Sequence, residues 1–441
     1  MSKIIEQAIH LKKNLVDFVY DASGDLAVAM ETYAADKGKS NSYGIKQQNL
    51  TIDLFLTEGE VNNQTPLDIY LAKKDELNSE DIELIKLWRD NFIGLFEIQE
   101  IHAEYYQLMN WLTAKTYQVY RHEEMPDQET KRWQPGEIIL TILAPFEDNS
   151  KWFFFSDRII KGRLSQPKLA VAIGEFRDNY PEFLYADAPE LLEEAWQSVA
   201  VYHQEFVAFM QSDRLTLPGY KLNQKIGELQ QMMSQKKLAE AGIDGDKSLS
   251  DILAESGASE AEFTETAGDL GADAAVVADM VKNKSKLSMV TPKVDLPPDI
   301  KQAESVTVFS HPRWGQMFLP NFEKFTDLLA SENPETQENG NLLIRKYLEQ
   351  PEANYYVWQQ LKQEYPEAIK QLLLAYCNQN NFNLEADLDE LLLEHDKPSQ
   401  PQLPSIASVP IHLNNLFEAA VAQVQKTKTR AKKKKKKKGF S

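Results

Sequence analysis

Apolar residues near the start of the chain fall at helical spacing. Ile4, Ile5, Ala8, Leu11, Leu15, Phe18 and Val19 recur every three or four positions and predict one apolar helix face within residues 2–35. Ser23-Gly24 predicts a break into two helices. TIDLFLTEG (Thr51–Gly59) alternates Ile52, Leu54 and Leu56 with other positions, which predicts a strand. Thr65-Pro66 opens a further helix with proline at its first position. Ser79 starts another, with Glu80 and Asp81 in its first turn. Ile82 stands where Ser79 would need an acid to complete a capping box.

The period changes from Phe92 to Gly162. FIGLFEIQEI, YYQLMNWL, KTYQVYRHE, GEIILTILAPF and KWFFFSDRIIKG are β-branched and aromatic runs of strand length, separated by polar breaks and the turn WQPGE. Such short, closely spaced strands predict a small antiparallel barrel or a strongly bent sheet. Small barrels of this kind often bind oligonucleotides, so Tyr105, Trp111 and Tyr117 are candidate base-stacking residues, with Tyr106, Tyr120, Lys115 and Arg121 interleaved. Glu97, Glu100, Glu104, Glu123 and Glu124 offset those cations, and the same alternation fits aromatics packed in a core.

Helical patterning returns from Pro167, with breaks at Pro181 and Pro189 and an end at Gly242. Short helices follow in 248–281, where Ser248 and Ser259 each precede an acid by three positions. SVTVFSHPRWGQMFLP predicts two short strands around His311-Pro312, followed by helices through EADLDELLLEH. The resulting class is α+β: a predominantly helical, multi-domain protein with one small antiparallel barrel-like module. Its expected divisions are an α-rich region 1–91, the barrel module 92–165, a helical segment 166–242 and a short acidic helical hairpin 243–284. A linker 285–300, an α/β domain 301–396, a second linker 397–410, an amphipathic helix 411–425 and a disordered tail 426–441 complete the chain.

Charge changes this picture most at the end. The chain carries a formal net charge of −19. The last sixteen residues, KTKTRAKKKKKKKGFS, hold ten cations and no acid: Lys426, Lys428, Arg430, Lys432, Lys433, Lys434, Lys435, Lys436, Lys437 and Lys438. What precedes them has 38 Lys or Arg against 67 Asp or Glu, a charge of −29. A body this acidic repels phosphate backbones and anionic membranes, so any such contact is expected in the tail. Before the tail, Leu413, Leu416, Phe417, Ala420, Val421 and Val424 form a helical stripe. Its polar face of Asn414, Asn415, Glu418, Gln423 and Gln425 lacks cations. That face favours docking on protein, through Leu413, Leu416, Phe417, Val421 and Val424, over lying in a membrane surface.

Motif chemistry is sparse. No G-x-x-x-x-G-K-[ST] or G-x-G-x-x-G cradle is present. Asp244, Asp246 and Ser248 start like a calcium loop, but Leu249 stands where the turn glycine belongs. His102-x-Glu104 and His203-x-Glu205 lack the two cysteines that a zinc deaminase adds. Cys377 is the only cysteine and ends an apolar helix, where it is expected to act as a small hydrophobe. Glu385, Asp387, Asp389, Glu390 and Glu394 are expected on the solvated side of a helix whose Leu384, Leu388, Leu391 and Leu392 are buried. The segment 248–281 carries eight acids and no Lys or Arg, the reverse of what a DNA reader needs, so sequence-specific DNA binding is not expected. No cofactor and no metal site are expected. With no signal-type apolar core at the start and no apolar run of membrane-spanning length, a soluble, cytoplasmic protein is expected.

FIGLFEIQEI, YYQLMNWLTAKTYQVY and PGEIILTILAPFEDNSKWFFFSDRI resemble a barrel-like segment of uncharacterised bacterial proteins. Some of those carry a short cysteine-rich metal motif of the secretion-motor type, which is absent here. SHPRWGQMFLPNFEKF is similar to a later segment of the same proteins. The resemblance implies a barrel and supplies no activity. The functional expectation is a non-enzymatic adaptor or assembly-type factor, with an acidic protein-binding body and a basic tether for RNA, ribosomes or another polyanion. The alternatives are an enzyme with a dispersed site and a peripheral membrane protein held by the tail.

Overall fold

The computed structural model describes residues 2–37, 45–73, 77–123, 125, 130–147, 150–240, 289–331, 340–378, 381–421 and 423–424. The acidic segment 243–284, including the calcium-like loop, and the tail from 426 lie outside the described residues. The chain divides into two compact units, Met1–Leu192 with Asn415–Ser441, and Glu193–Asn414.

In the first unit a layer of helices precedes a barrel. The helices are α1 (Ser2–Tyr20), α2 (Asp25–Lys37), α3 (Ile45–Glu58), α4 (Pro66–Ala72) and α5 (Ser79–Leu87). The α1 stripe is buried at Ile5, Ala8, Leu11, Leu15 and Val19, and Gly24, at φ 71°, separates α1 from α2. TIDLFLTEG is helical rather than extended, because it lies within α3. There Leu50, Thr51, Asp53, Leu54, Phe55 and Leu56 are all buried, and a helix buried on most of its circumference loses the period that would identify it. Thr65 caps α4 by accepting from the Asp68 amide. The cap of α5 is Asn78, one residue earlier than expected, and Asp81 closes a full capping box with it.

The barrel strands are β1 (Phe92–Ile101), β2 (Tyr105–Asn110), β3 (Thr116–Tyr120), β4 (Ile138–Glu147) and β5 (Lys151–Phe154), with β6 (Ile159–Gly162) added beside β4. They run β1-β2-β3-β5-β4 and close through β4–β1. This is the Greek-key closure of OB-type barrels. β1 serves two neighbours: Phe92–Glu97 pair with β4, and Phe96–Ile101 with β2, across an irregularity between Ile98 and Glu100. The barrel is not wholly antiparallel. The β4–β5 hairpin turns β5 so that it meets β3 in parallel, Val119 beside Trp152. β4 is buried from Ile138 to Phe146, because one face lines the barrel and α1, α3 and α5 cover the other. β2 and β3 alternate instead, which leaves their outer face open.

In the second unit, β7 (Arg214–Leu217), β9 (Val306–His311) and β10 (Gly315–Pro320) form an antiparallel sheet in the order β10-β9-β7. Both predicted strands around His311-Pro312 are present. The third strand, RLTL, comes from the segment read as helical. It lies between α7 (Pro189–Met210) and α8 (Gly219–Glu240), which follow α6 (Gln166–Asn179) in the chain. Gly219 allows this join: a Cβ there would lie 1.9 Å from the Ile300 carbonyl oxygen. The helices α10 (Phe322–Leu329), α11 (Gly340–Glu349), α12 (Tyr355–Glu364), α13 (Pro366–Cys377) and α14 (Leu388–Glu394) enclose a core with Phe309, Phe325, Tyr347, Trp358 and Leu372. The two proline-rich segments are more than connectors. Met289–Val290 (β8) pairs with Val409–Pro410 (β11), a short helix α9 spans Pro298–Gln302, and Leu296, Ile300, Ile406 and Ala407 are buried anchors. Proline favours extended backbone, and these apolar positions give that backbone something to bury.

Candidate functional site

The open groove of the first unit runs along α1, past the start of α2, to α4 and the beginning of α5, with a volume of about 860 Å³. Leu11, Phe18, Leu26, Ile69, Tyr70 and Leu77 form its apolar floor. The Phe18 and Tyr70 rings meet at 5.3 Å. Asp17, Asp21 and Asp81 stand at the rim. Asp81 accepts from Gln7 Nε2 at 2.5 Å and closes the capping box of α5, so it is structurally engaged. Asp17 and Asp21 make no ion pair among the described residues. Lys73 does not neutralise them: its Nζ lies 4.1 Å over the Phe18 ring.

The open face of the barrel differs. Tyr105 lies directly opposite Tyr120, and Gln107 opposite Gln118. His102 stacks on Tyr105 at 4.4 Å, and Tyr105 meets Tyr120 at 5.6 Å, so three rings form a row. Trp111 donates Nε1–H to Glu97 at 2.9 Å. The nearby cations have intramolecular partners: Lys115 pairs with Glu190 at 2.9 Å, Lys151 with Glu147 at 2.6 Å, and Arg121 lies 4.5 Å over the Tyr106 ring. Tyr117 is not on this face. Strand alternation turns it inward, 7% exposed, against Phe92 and Trp152. It is therefore unavailable for base stacking, and Tyr120 takes the outer position.

Tyr117 belongs to a polar knot at one end of the barrel. Its hydroxyl donates to Asp187, which also accepts from Thr113 Oγ1 at 2.9 Å and Asn110 Nδ2 at 3.2 Å. Lys115 Nζ donates to the Asp187 backbone carbonyl at 2.6 Å. Burial, with Asp187 adding to it, pushes the Tyr117 phenol far above its ordinary value, so it is held as a donor. A second knot ties the helices together: Lys12 of α1 pairs with Asp53 of α3 at 2.5 Å and lies 5.6 Å over the Phe155 ring. Burial pushes the Asp53 carboxyl up to about 6, against the lowering effect of Lys12.

The remaining candidates are structural. His203 shares a 3.1 Å hydrogen bond with Ser310, and His102 one of 2.9 Å with Glu100. Burial, then the carboxylates of Glu394 and Asp387, raise the Cys377 thiol, which disfavours its nucleophilic form. Lys397, a residue with no signal in the sequence, is buried and donates to the Gln350 carbonyl at 2.7 Å, and burial lowers its amine to about 8. It caps the C-terminal end of α11. Leu384, Leu388, Leu391 and Leu392 are buried, with Glu385, Asp389, Glu390 and Glu394 exposed. In the terminal helix, 411–421, Leu413, Leu416 and Ala420 are buried and Phe417 half-buried, whereas Val421 and Val424 are exposed. Its stripe is thus divided between packing within the chain and an exposed end. Lys426, Lys428, Arg430 and Lys432 to Lys438 lie outside the described residues.

Among the described residues no group of three His, Cys, Asp or Glu side chains is placed to hold a metal, and no helix is long and apolar enough to cross a membrane. Comparison with protein-family models, curated proteins and solved structures finds no match.

Proposed function

We propose that the protein is a non-enzymatic adaptor or assembly-type factor, whose acidic body binds a protein partner and whose lysine-rich end tethers it to RNA, ribosomes or another polyanion. The observation that carries this reading is the groove along α1, apolar on its floor and acidic at its rim. Asp17 and Asp21, with no described ion pair, beside partly exposed apolar side chains suit a protein surface and disfavour a phosphate backbone. The tether half rests on charge segregation. A body of −29 ends in ten cations, and those cations alone could displace counterions from a polyanion. An anionic membrane fits less well, because the polar face of the preceding helix has no Lys or Arg.

Full-length protein and a Met1–Gln425 truncation, sedimented with ribosomes, free RNA or anionic liposomes as salt rises from about 50 to about 300 mM, test the tether. Full-length protein should sediment with ribosomes or RNA and release with a log–log salt slope no steeper than about −9. The truncation should stay in the supernatant. If both do so at every salt concentration, the tether is wrong. If both sediment alike, the contact belongs to the body.

A further inference from the structure

Length, charge and helix chemistry narrow what the α1 groove would take. Gln7, Leu11, Asn14 and Phe18 line it along about 16 Å of α1. Side chains one turn apart form rungs about 5.4 Å apart, into which the i, i+4 and i+7 side chains of a second helix fit. The groove is open along this length, so it suits a row of side chains better than an enclosed small molecule.

Asp17 and Asp21 stand at the C-terminal end of α1 (Ser2–Tyr20), whose last turn has no basic residue. Acids there oppose the helix dipole, which favours cations at that end. The chain therefore carries two acids against local helix preference, beside an apolar floor and with no described cation to pair them. Lys73 gives a second indication. Its ammonium rests over Phe18, so the aromatic floor accepts a cation.

We infer that the groove docks a cationic amphipathic helix of a protein partner. Resting on the adaptor reading, this names the partner's class. Apolar anchors of that helix would cover the half-buried Phe18, Ile69 and Leu77, and its Lys or Arg side chains would pair with Asp17 and Asp21. The chain's own tail lacks the required stripe: from Lys426 to Ser441 the apolar residues are Ala431 and Phe440 alone.

The test is fluorescence anisotropy of full-length protein with labelled helical peptides of about four turns. One carries Leu and Lys on an amphipathic pattern, one Leu and Glu on the same pattern, and one Lys without Leu. The Leu/Lys peptide should bind at least about tenfold more tightly than either of the others. Asp17→Lys with Asp21→Lys should weaken it at least about tenfold. The reversal of two acids elsewhere, Glu228→Lys with Glu390→Lys, should change it less than about twofold. Circular dichroism confirms that both variants fold. Equal binding by wild type and D17K/D21K overturns the groove while leaving an acidic body that binds proteins. Equal binding of the Leu/Lys and Lys-only peptides overturns the amphipathic requirement. If no peptide binds, the inference fails, and the tether half of the adaptor reading still stands or falls by sedimentation.

Discussion

The open face of the barrel and the groove along α1 belong to one compact unit but treat charge in opposite ways. On the barrel, Lys115, Lys151 and Arg121 are engaged by Glu190, Glu147 and the Tyr106 ring, and His102 lies between Glu100 and Tyr105. In the groove, Asp17 and Asp21 have no described partner and the aromatic floor holds Lys73. A new contact on the barrel must first break an existing one. A new contact in the groove shares or displaces only Lys73 over Phe18, and it meets two acids that no described cation pairs, so it can add Coulombic attraction. Aromatic composition offered the barrel face as a candidate base-stacking surface, beside the reading that its aromatics pack in a core. The pairing of its charges points away from it.

The largest expected effect disrupts the barrel itself. Asp187→Ala removes the acceptor of Asn110, Thr113 and Tyr117, of which Asn110 is fully buried. Stranded buried donors make a loss of about 3–5 kcal/mol the expected result in urea unfolding. A loss under about 1 kcal/mol would mean that the knot is not structural.

The Lys12–Asp53 knot behind the barrel gives a pH-dependent effect of nearly similar size. The Asp53 carboxyl titrates at about 6 in the folded protein, above its ordinary value of 3.8. Between those pH values the folded state keeps a proton that the unfolded chain has lost. The group's contribution to stability therefore falls as pH rises from about 4 to about 6, by about 3 kcal/mol in all, and is flat beyond. Urea curves at pH 4, 5, 6 and 7 should show wild type losing stability relative to Asp53→Asn across this window. A constant difference would contradict the shift.

Smaller effects sharpen the contrast between the surfaces. Because Lys115 and Glu190 are 40% and 56% exposed, a double-mutant cycle on them should give less than about 1 kcal/mol. D17K/D21K should keep or raise stability, by about 0.3–1 kcal/mol for each cation at the α1 C-terminus, while losing peptide affinity. A clear loss of stability would show that the two acids serve folding instead of binding.

Much of the fold was legible where a segment has two distinct environments. The α1 stripe, the β2 and β3 alternation and the leucine face of α14 each set buried against more exposed positions, and each was readable by period. α3 was misread because so much of it is buried. RLTL was missed because four residues of mixed polarity carry no usable period. The candidate site was less legible. Apolar residues of α1 were visible, but their meeting with Ile69, Tyr70 and Leu77 was not. The stacking trio was split by strand parity, with Tyr117 inside and Tyr105 outside.

Local pattern and composition determined where most helices and strands form, that residues 92–162 make a barrel-like sheet, and that charge is segregated between body and tail. These depend on neighbours a few residues apart and on sums over the chain. Tertiary structure decided the parallel β3–β5 contact, the strand RLTL beside β9, the pairing of the two proline-rich segments and the groove along α1. Each joins residues far apart in sequence, and the free energy of such contacts comes from shared burial that neither segment's own pattern records.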